Sequence, residues 1–115
     1  MILKTIIYLY KFLRMFIYNV TIKIDWSVHD EWVQWMLHEH MNEMVNTGCF
    51  THSTLLRLLE TDEKEGPTYA AQYVAESKAD YNRYIESYST AIRQKYFDRW
   101  GDNFVAFRSL MQIVQ

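Results

Sequence analysis

The feature that most constrains the fold is a strict alternation in residues 16–24, FIYNVTIKI. Every second side chain from Phe16 onward is apolar or aromatic, and the stretch is rich in β-branched residues. A period of two predicts a β-strand that buries one of its faces. The rest of the chain must therefore supply partner strands and a layer of helices that covers this face.

Two helical patterns follow. In the first, Ser27 is the predicted N-cap and Gly48 the predicted end, with apolar side chains spaced by three and four: Val28, Trp32, Trp35, Met36 and Met44. In the second, Ser77 is the predicted N-cap and Gly101 the predicted end, with a stripe made of Tyr81, Tyr84, Ile85, Tyr88, Ile92 and Tyr96. Both patterns predict amphipathic helices that pack on the sheet.

Three further strands are predicted, near residues 50–59, 68–75 and 103–114. The polar loop 61–67 holds a glycine and the only proline, and it joins the first two of these strands as a hairpin. The order β-α-β-β-α-β is that of an α+β, ferredoxin-like fold, with a four-stranded antiparallel sheet in spatial order 4-1-3-2 and two helices on one face. We therefore expect a single domain over residues 15–115.

The first 14 residues do not fit this pattern. They carry three bases and no acid: Lys4, Lys11 and Arg14. Lys11 interrupts an apolar run that is far shorter than the roughly 20 residues of a membrane-spanning helix. A secretory signal would need a small-residue cleavage site, which is missing, whereas an amphipathic helix at a membrane surface is an alternative. We expect residues 1–14 to be an extension outside the fold, and Met15 rather than Met1 to be the start.

The charge balance argues against nucleic acid as a partner. The formal charge is −2, and the three bases of residues 1–14 leave nine bases against 14 acids in the remainder. A domain of that sign does not attract phosphate backbones. An RNA-recognition module has the same element order, but Tyr69 and Tyr73 of the third strand lack the accompanying basic residue and glycine.

Metal and cofactor sites also find little support. His38 and His40 are two residues apart in a predicted helix, so they point to opposite sides and cannot share one ion. Cys49 and His52 would need distant ligands to hold zinc, which leaves that site as an alternative. Three glycines leave no phosphate-cradling loop. We predict no metal and no cofactor, and the single cysteine, which cannot form an internal disulfide, is consistent with a cytoplasmic protein.

Several segments together carry a resemblance to a known family. They are FIYNVTIKID, EWVQWMLHEHMNEMVNTGCF, LLRLLE, TYAAQYVAES and YFDRWGDNFVAFRSLM. From Met15 onward the chain resembles a family of short bacterial proteins known as domain of unknown function 4286, and it is similar in pattern to the dimeric α/β-barrel proteins. Those proteins pair two such sheets across a two-fold axis, and they include cofactor-free monooxygenases and isomerases. The resemblance implies the fold and a homodimer, and it implies no catalytic residue.

His40 is the one candidate for catalysis. It follows Trp32 and Met36 at intervals of four, which places it near the sheet-facing stripe. A histidine there would act as a general base or proton relay. The alternative is a partly buried histidine that only hydrogen-bonds a neighbouring group.

The alternation of side chains between the two faces of each strand predicts a ligand site on the face of the sheet that the helices leave open. One polar residue from each strand is expected there: Asn19, Arg57, Gln72 and Arg108. Apolar side chains are expected to share this face: Ile17, Leu55, Val74, Phe104 and Leu110. A second copy should cover such a mixed face, and the polar band should bind an anionic or carbonyl-bearing group.

Two classes of function follow. In the first, the protein is a homodimeric binding module for a small molecule or a protein partner. In the second, it is a cofactor-free enzyme of the monooxygenase or isomerase type, with His40 or an arginine assisting. The first is favoured, because the sequence contains no acid–base pair and no activated nucleophile.

Overall fold

The computed structural model describes residues 2–13 and 15–114, so Met1, Arg14 and Gln115 lie outside the described residues. Its sheet contains four antiparallel strands: β1 (Phe16–Ile24), β2 (His52–Arg57), β3 (Thr68–Ala75) and β4 (Phe104–Gln112). Their spatial order is β2-β3-β1-β4, which is the predicted order. The α+β, ferredoxin-like architecture is confirmed.

Helix α1 (Ile2–Leu13) precedes β1 in the chain. Helices α2 (His29–Trp35) and α3 (Met41–Asn46) lie between β1 and β2, and helices α4 (Lys78–Ser87) and α5 (Ser89–Trp100) lie between β3 and β4. One turn of π-helix, Met36–His40, joins α2 to α3, so both form one interrupted helix. None of the described helices is long and apolar enough to cross a membrane.

The start of the first long helix differs from the prediction. Ser27 lies within a 3₁₀ turn, Trp26–Val28, and gives α2 no side-chain cap. The indole Nε1 of Trp26 donates to the carbonyl oxygen of Glu63 at 2.7 Å, and the N–H of Asp25 donates to the carbonyl of Asn103 at 2.9 Å. These long-range bonds shape the turn and move the helix start beyond Ser27.

The second long helix begins as predicted but is broken in the middle. The hydroxyl of Ser77 accepts a hydrogen bond from the N–H of Asp80 at 3.1 Å, which confirms the cap. At Tyr88 the backbone leaves the helical region (φ −127°), and the hydroxyl of Ser89 donates to the carbonyl of Ile85 at 2.7 Å. The break turns Tyr88 outward, so the prediction that it joins the buried stripe is wrong.

The core lies between the helices and one face of the sheet, which we call the helix face. Its most deeply buried large side chains include Trp32, Tyr73, Tyr84, Ile22 and Met36. Aromatic rings dominate it, and each ring buries a large apolar area. The opposite face, the open face, is left without a covering layer by the described helices.

The register of the inner strands confirms their predicted faces. Tyr18 lies opposite Tyr73 on the helix face, and Asn19 lies opposite Gln72 on the open face. Ile17 lies opposite Val74, so these two also share the open face as expected.

The edge strands β2 and β4 are turned the other way from the prediction. Arg57 lies opposite Tyr69 and Arg108 opposite Val20, which puts both arginines on the helix face. Leu55, Phe104 and Leu110 also belong to that face, opposite Ala71, Ile24 and Tyr18. Both edge strands carry apolar residues on each side, so their hydrophobic pattern does not determine which side faces the helices.

Candidate ligand cavity between the helices and the sheet

A small cavity lies between the helices and the helix face. Its volume is about 30 Å³, enough for a water molecule or a small polar group. Strands β1, β3 and β4 and helices α3, α4 and α5, together with the π-helical turn, supply its lining: Tyr18, Val20, Ile22, His40, Met44, Tyr73, Tyr84, Ile92, Arg93, Tyr96, Phe104, Ala106 and Arg108.

Four tyrosines make up much of the wall. Tyr18 and Tyr73 come from neighbouring strands, where a period of two turns them to the helix face, and their ring centroids are 6.2 Å apart. Tyr84 and Tyr96 come from the predicted stripe of the second long helix. The rings of Tyr18 and Tyr84 are 5.6 Å apart. The site is therefore apolar in its walls and carries phenol hydroxyls.

The hydroxyl of Tyr73 has no hydrogen-bond partner among the described residues, although the side chain is only 1% exposed. Burial raises the pKa of Tyr73 well above its usual value, so the group is a neutral donor. By contrast, the hydroxyl of Tyr96 accepts a hydrogen bond from Trp32 Nε1 at 2.6 Å, and that of Tyr18 accepts one from Arg93 at 3.1 Å. An unpaired buried hydroxyl costs stability, which a ligand atom would restore.

His40 lies at the end of the π-helical turn and borders the same cavity. Its ring stacks on Trp35 at 4.9 Å and meets the edge of Tyr96 at 5.2 Å. Burial lowers the pKa of His40 to about 4, with a small opposing effect from Glu43 and a reinforcing one from Lys95. The imidazole is therefore neutral at pH 7. Its ring nitrogens make no hydrogen bond to any described residue, so one of them is available as a proton acceptor.

π-Helical turns are rare inside α-helices and are frequent at functional sites. Here the turn puts His40 on the buried side while His38, two residues earlier, is exposed. The expectation that the two histidines point to opposite sides is confirmed. No group of three or more potential metal ligands occurs among the described residues.

The mouth of the cavity is formed by two arginines. Arg93 projects from α5 and Arg108 from β4, and both also line an outer groove of about 470 Å³. The remaining groove residues are Thr90, Gln94, Phe97, Phe104 and Ala106. Cavity and groove adjoin each other, because Arg93, Phe104, Ala106 and Arg108 line both.

The four residues of the predicted polar band do not lie together. Asn19 and Gln72 share the open face, where the amide nitrogen of Gln72 donates to the oxygen of Asn19 at 3.2 Å. Arg57 lies at the end of the sheet, where it pairs with Glu63 at 2.8 Å and lies over the ring of Trp26. Arg108 borders the cavity. The structure therefore corrects the expected location of Arg57 and Arg108, and any ligand contact by the four residues stays a prediction.

Arg93 and the unpaired hydroxyl of Tyr73 are not among the predicted site residues. The tyrosines were recognisable as members of buried stripes, but a stripe does not show which hydroxyl lacks a partner. Arg93 is exposed on its helix, and nothing in the pattern distinguishes it from other surface arginines.

A model of the family described as DUF4286, a domain of unknown function, matches residues 15–114. The chain belongs to this family. The match covers all four strands and every helix except α1, so the DUF4286 domain coincides with the ferredoxin-like unit described above. A comparison with curated proteins finds no match.

Solved structures similar to this DUF4286 domain share its fold at low sequence identity. A mutant of SnoaB from Streptomyces nogalater, described as a cofactor-independent oxygenase, has 12% identity and a TM-score of 0.64, and the alignment covers 88% of this chain and 94% of SnoaB. A dimeric ferredoxin-like protein from an uncultured marine organism has 10% identity and a TM-score of 0.65, with 88% and 96% covered.

A third similar structure is the heme-degrader MhuD from Mycobacterium tuberculosis, with two hemes bound in its active site. It has 16% identity and a TM-score of 0.61, and the alignment covers 87% of this chain and 96% of MhuD. At such identities the likeness shows the fold alone.

Proposed function

We propose that this protein is a homodimer that binds a small molecule in the cavity between the helices and the sheet. The observation that carries the proposal is the buried hydroxyl of Tyr73, a residue that lines the aromatic cavity, because this hydroxyl has no hydrogen-bond partner among the described residues. Apolar walls with a few convergent polar groups are typical of small-molecule sites. We further propose a cytoplasmic location, because the only cysteine, Cys49, is a buried free thiol.

The ligand site thereby moves from the open face to the helix face. On the open face, Asn19 and Gln72 hydrogen-bond each other, and Asn19 also donates to Thr21 at 3.0 Å. Arg108, the one residue of the predicted polar band that lines the cavity, is retained as a ligand contact. Asn19 and Gln72 are assigned a place in the dimer interface instead.

The composition of the open face supports the proposal that a second copy of the chain covers it. Apolar side chains on it are partly or largely exposed: Ile17, Leu56, Val74, Val105, Phe107 and Met111. Exposed apolar surface of this kind marks interaction sites. A similar structure is described as a dimeric ferredoxin-like protein, and a standard interface of roughly 800 Å² per partner would cover these side chains.

The dimer is tested by light scattering at micromolar concentration, with about twice the 14.0 kDa chain mass expected for the wild type. Phe107→Asp should give the monomer mass, because a carboxylate in the interface would be desolvated without a partner. Leu59→Asp is the matched control, since Leu59 is 78% exposed and lies outside the strands. A monomeric wild type, or a dimeric Phe107→Asp variant, contradicts the proposal.

The ligand site is tested by thermal shift with a panel of neutral and acidic one- and two-ring aromatic compounds. Ala106 lines both cavity and groove, so Ala106→Leu should abolish any shift while the protein remains folded. Ala79→Leu adds the same atoms to an exposed position of α4 and should keep the shift. The proposal fails if no compound stabilises the wild type, or if Ala106→Leu retains the shift.

A second candidate function is a cofactor-free enzyme, and the state of His40 favours it. A neutral imidazole with an available nitrogen at the edge of an apolar cavity is suited to remove a proton from a bound substrate. SnoaB is described as a cofactor-independent oxygenase, although only the fold is shared. Compounds found by the thermal shift would be followed for product, and His40→Gln should keep binding while turnover falls by roughly 100-fold or more. If these compounds bind but no product forms, the enzyme is excluded for them and the binding protein is the better description.

A further inference from the structure

The arginines of this chain fall into two groups. Three of the five described arginines pair with a carboxylate: Arg57 with Glu63 at 2.8 Å, Arg83 with Asp80 at 3.3 Å and Arg99 with Glu31 at 3.4 Å. Arg93 and Arg108 have no ion pair with any described residue. These are the two arginines at the mouth of the cavity.

Both arginines are exposed to solvent, and no carboxylate of the described lining residues offsets their charge. Among the described residues that line the cavity and the groove, none is an aspartate or a glutamate. Arg93 donates one hydrogen bond, to the hydroxyl of Tyr18 at 3.1 Å, and Arg108 donates none to a described residue. A concave site with charge of one sign concentrates ligands of the opposite sign.

We infer that the ligand of this cavity is a carboxylate with an apolar or aromatic body, bound at its anionic end by Arg93 and Arg108. The inference rests on the proposed function and names its ligand class. Guanidinium groups match a carboxylate with two parallel hydrogen bonds, which neutral side chains at this mouth cannot reproduce. The body then lies against Phe104 and Ile92, and its inner end approaches the hydroxyl of Tyr73.

The volumes of the cavity and the groove imply that Arg93 moves when a ligand binds. The inner cavity of about 30 Å³ is too small for an aromatic ring, whereas the adjoining groove of about 470 Å³ admits one. Arg93 borders both spaces and is tied to Tyr18 by a single neutral acceptor. A carboxylate is a stronger acceptor than a phenol, so an entering acid draws Arg93 away from Tyr18 and joins the two spaces.

The experiment compares 2-naphthoate with 2-naphthamide, which has the same shape and no charge, by titration calorimetry on the full chain. The carboxylate should bind at least roughly 10-fold more tightly than the amide. Arg93→Met and Arg108→Met should each weaken the binding of 2-naphthoate by roughly 10- to 100-fold and leave the binding of 2-naphthamide unchanged. Arg99→Met, on the same helix as Arg93 but paired with Glu31, is the matched control and should change neither ligand.

The outcomes separate this inference from the proposed function. Equal binding of both compounds, with no effect of the arginine variants, overturns the carboxylate class and leaves the cavity as a binding site. Binding of inorganic phosphate in preference to naphthoate overturns the class as well. If neither aromatic compound binds and the panel above is also inactive, both the inference and the proposed function are wrong.

Discussion

The polar side chains on the two faces of the sheet differ in their hydrogen bonding. On the open face, the amide nitrogen of Gln72 donates to the side-chain oxygen of Asn19, and the amide nitrogen of Asn19 donates to the hydroxyl of Thr21. On the helix face, which is well covered, the buried hydroxyl of Tyr73 has no hydrogen-bond partner among the described residues. Unpaired polar groups are expected in water and are costly under a covering layer. This difference supports the proposal that the ligand site lies on the covered face.

The faces also differ in their apolar residues. Trp32, above the helix face, is completely buried, whereas Phe107 of the open face is 62% exposed. Packing on the covered face stabilises the single chain. The open face leaves apolar area exposed, as the proposed dimer interface requires.

The largest expected effect on the free energy of unfolding comes from replacing one large side chain on each face by alanine. Trp32→Ala should cost about 4 kcal/mol of unfolding free energy, because it opens a cavity and removes the donor to Tyr96. Phe107→Ala should cost less than about 0.5 kcal/mol at low protein concentration, and more as the concentration rises, since only the dimer buries it. Denaturant unfolding at several concentrations measures both. A concentration-independent loss at Phe107 would contradict the proposed interface.

The next largest effect is a pH dependence on the helix face. The pKa of His40 is lowered from 6.5 to about 4, so the unfolded chain binds this proton before the folded one does. Stability is full above pH 6.5 and falls as the pH drops towards 4, by about 3 kcal/mol for this group. His40→Gln should flatten the slope of unfolding free energy between these pH values, whereas His38→Gln, at an exposed position, should keep it. Parallel slopes for His40→Gln and wild type would show that burial of His40 does not control stability.

A smaller effect distinguishes two tyrosine hydroxyls in the same cavity. Tyr73→Phe should leave stability unchanged or raise it by up to about 1 kcal/mol, because the lost hydroxyl has no partner among the residues that the structure describes. Tyr96→Phe should lower stability by about 1 to 2 kcal/mol, since the buried N–H of Trp32 loses its acceptor. Thermal and denaturant unfolding of both variants decide the matter. A clear loss of stability in Tyr73→Phe would mean that its hydroxyl is already paired and would weaken the ligand proposal.

The smallest expected effect concerns α1. A chain that starts at Met15 should fold with the same cooperativity and with a change of less than about 0.5 kcal/mol, because residues 2–7 of α1 are all exposed. Calorimetry of the shortened and full chains tests this expectation. A fall of several degrees in melting temperature would show that α1 packs on one of the two faces of the sheet.

The sequence by itself determined the element order, the spatial order of the strands and the faces of the inner strands. Strands β1 and β3 each have one consistently apolar or small-residue side, so a period of two identifies the side under the helices. The predicted helix cap and the predicted helix ends that depend only on neighbouring residues are also confirmed. Ser77 caps its helix, and Gly48 and Gly101 adopt the positive φ that their helix ends require.

Only the tertiary structure decided which way the edge strands face and where the arginines lie. Strands β2 and β4 carry apolar residues on both sides, and pairing with β3 and β1 sets their orientation. The π-helical turn before Met41, the break at Tyr88 and the missing partner of Tyr73 likewise depend on packing between distant segments. A pattern along the chain reports one residue's preference for burial. Whether a buried hydroxyl or a charged side chain finds a partner depends on residues far away in sequence, and that pairing is what makes the cavity a candidate site.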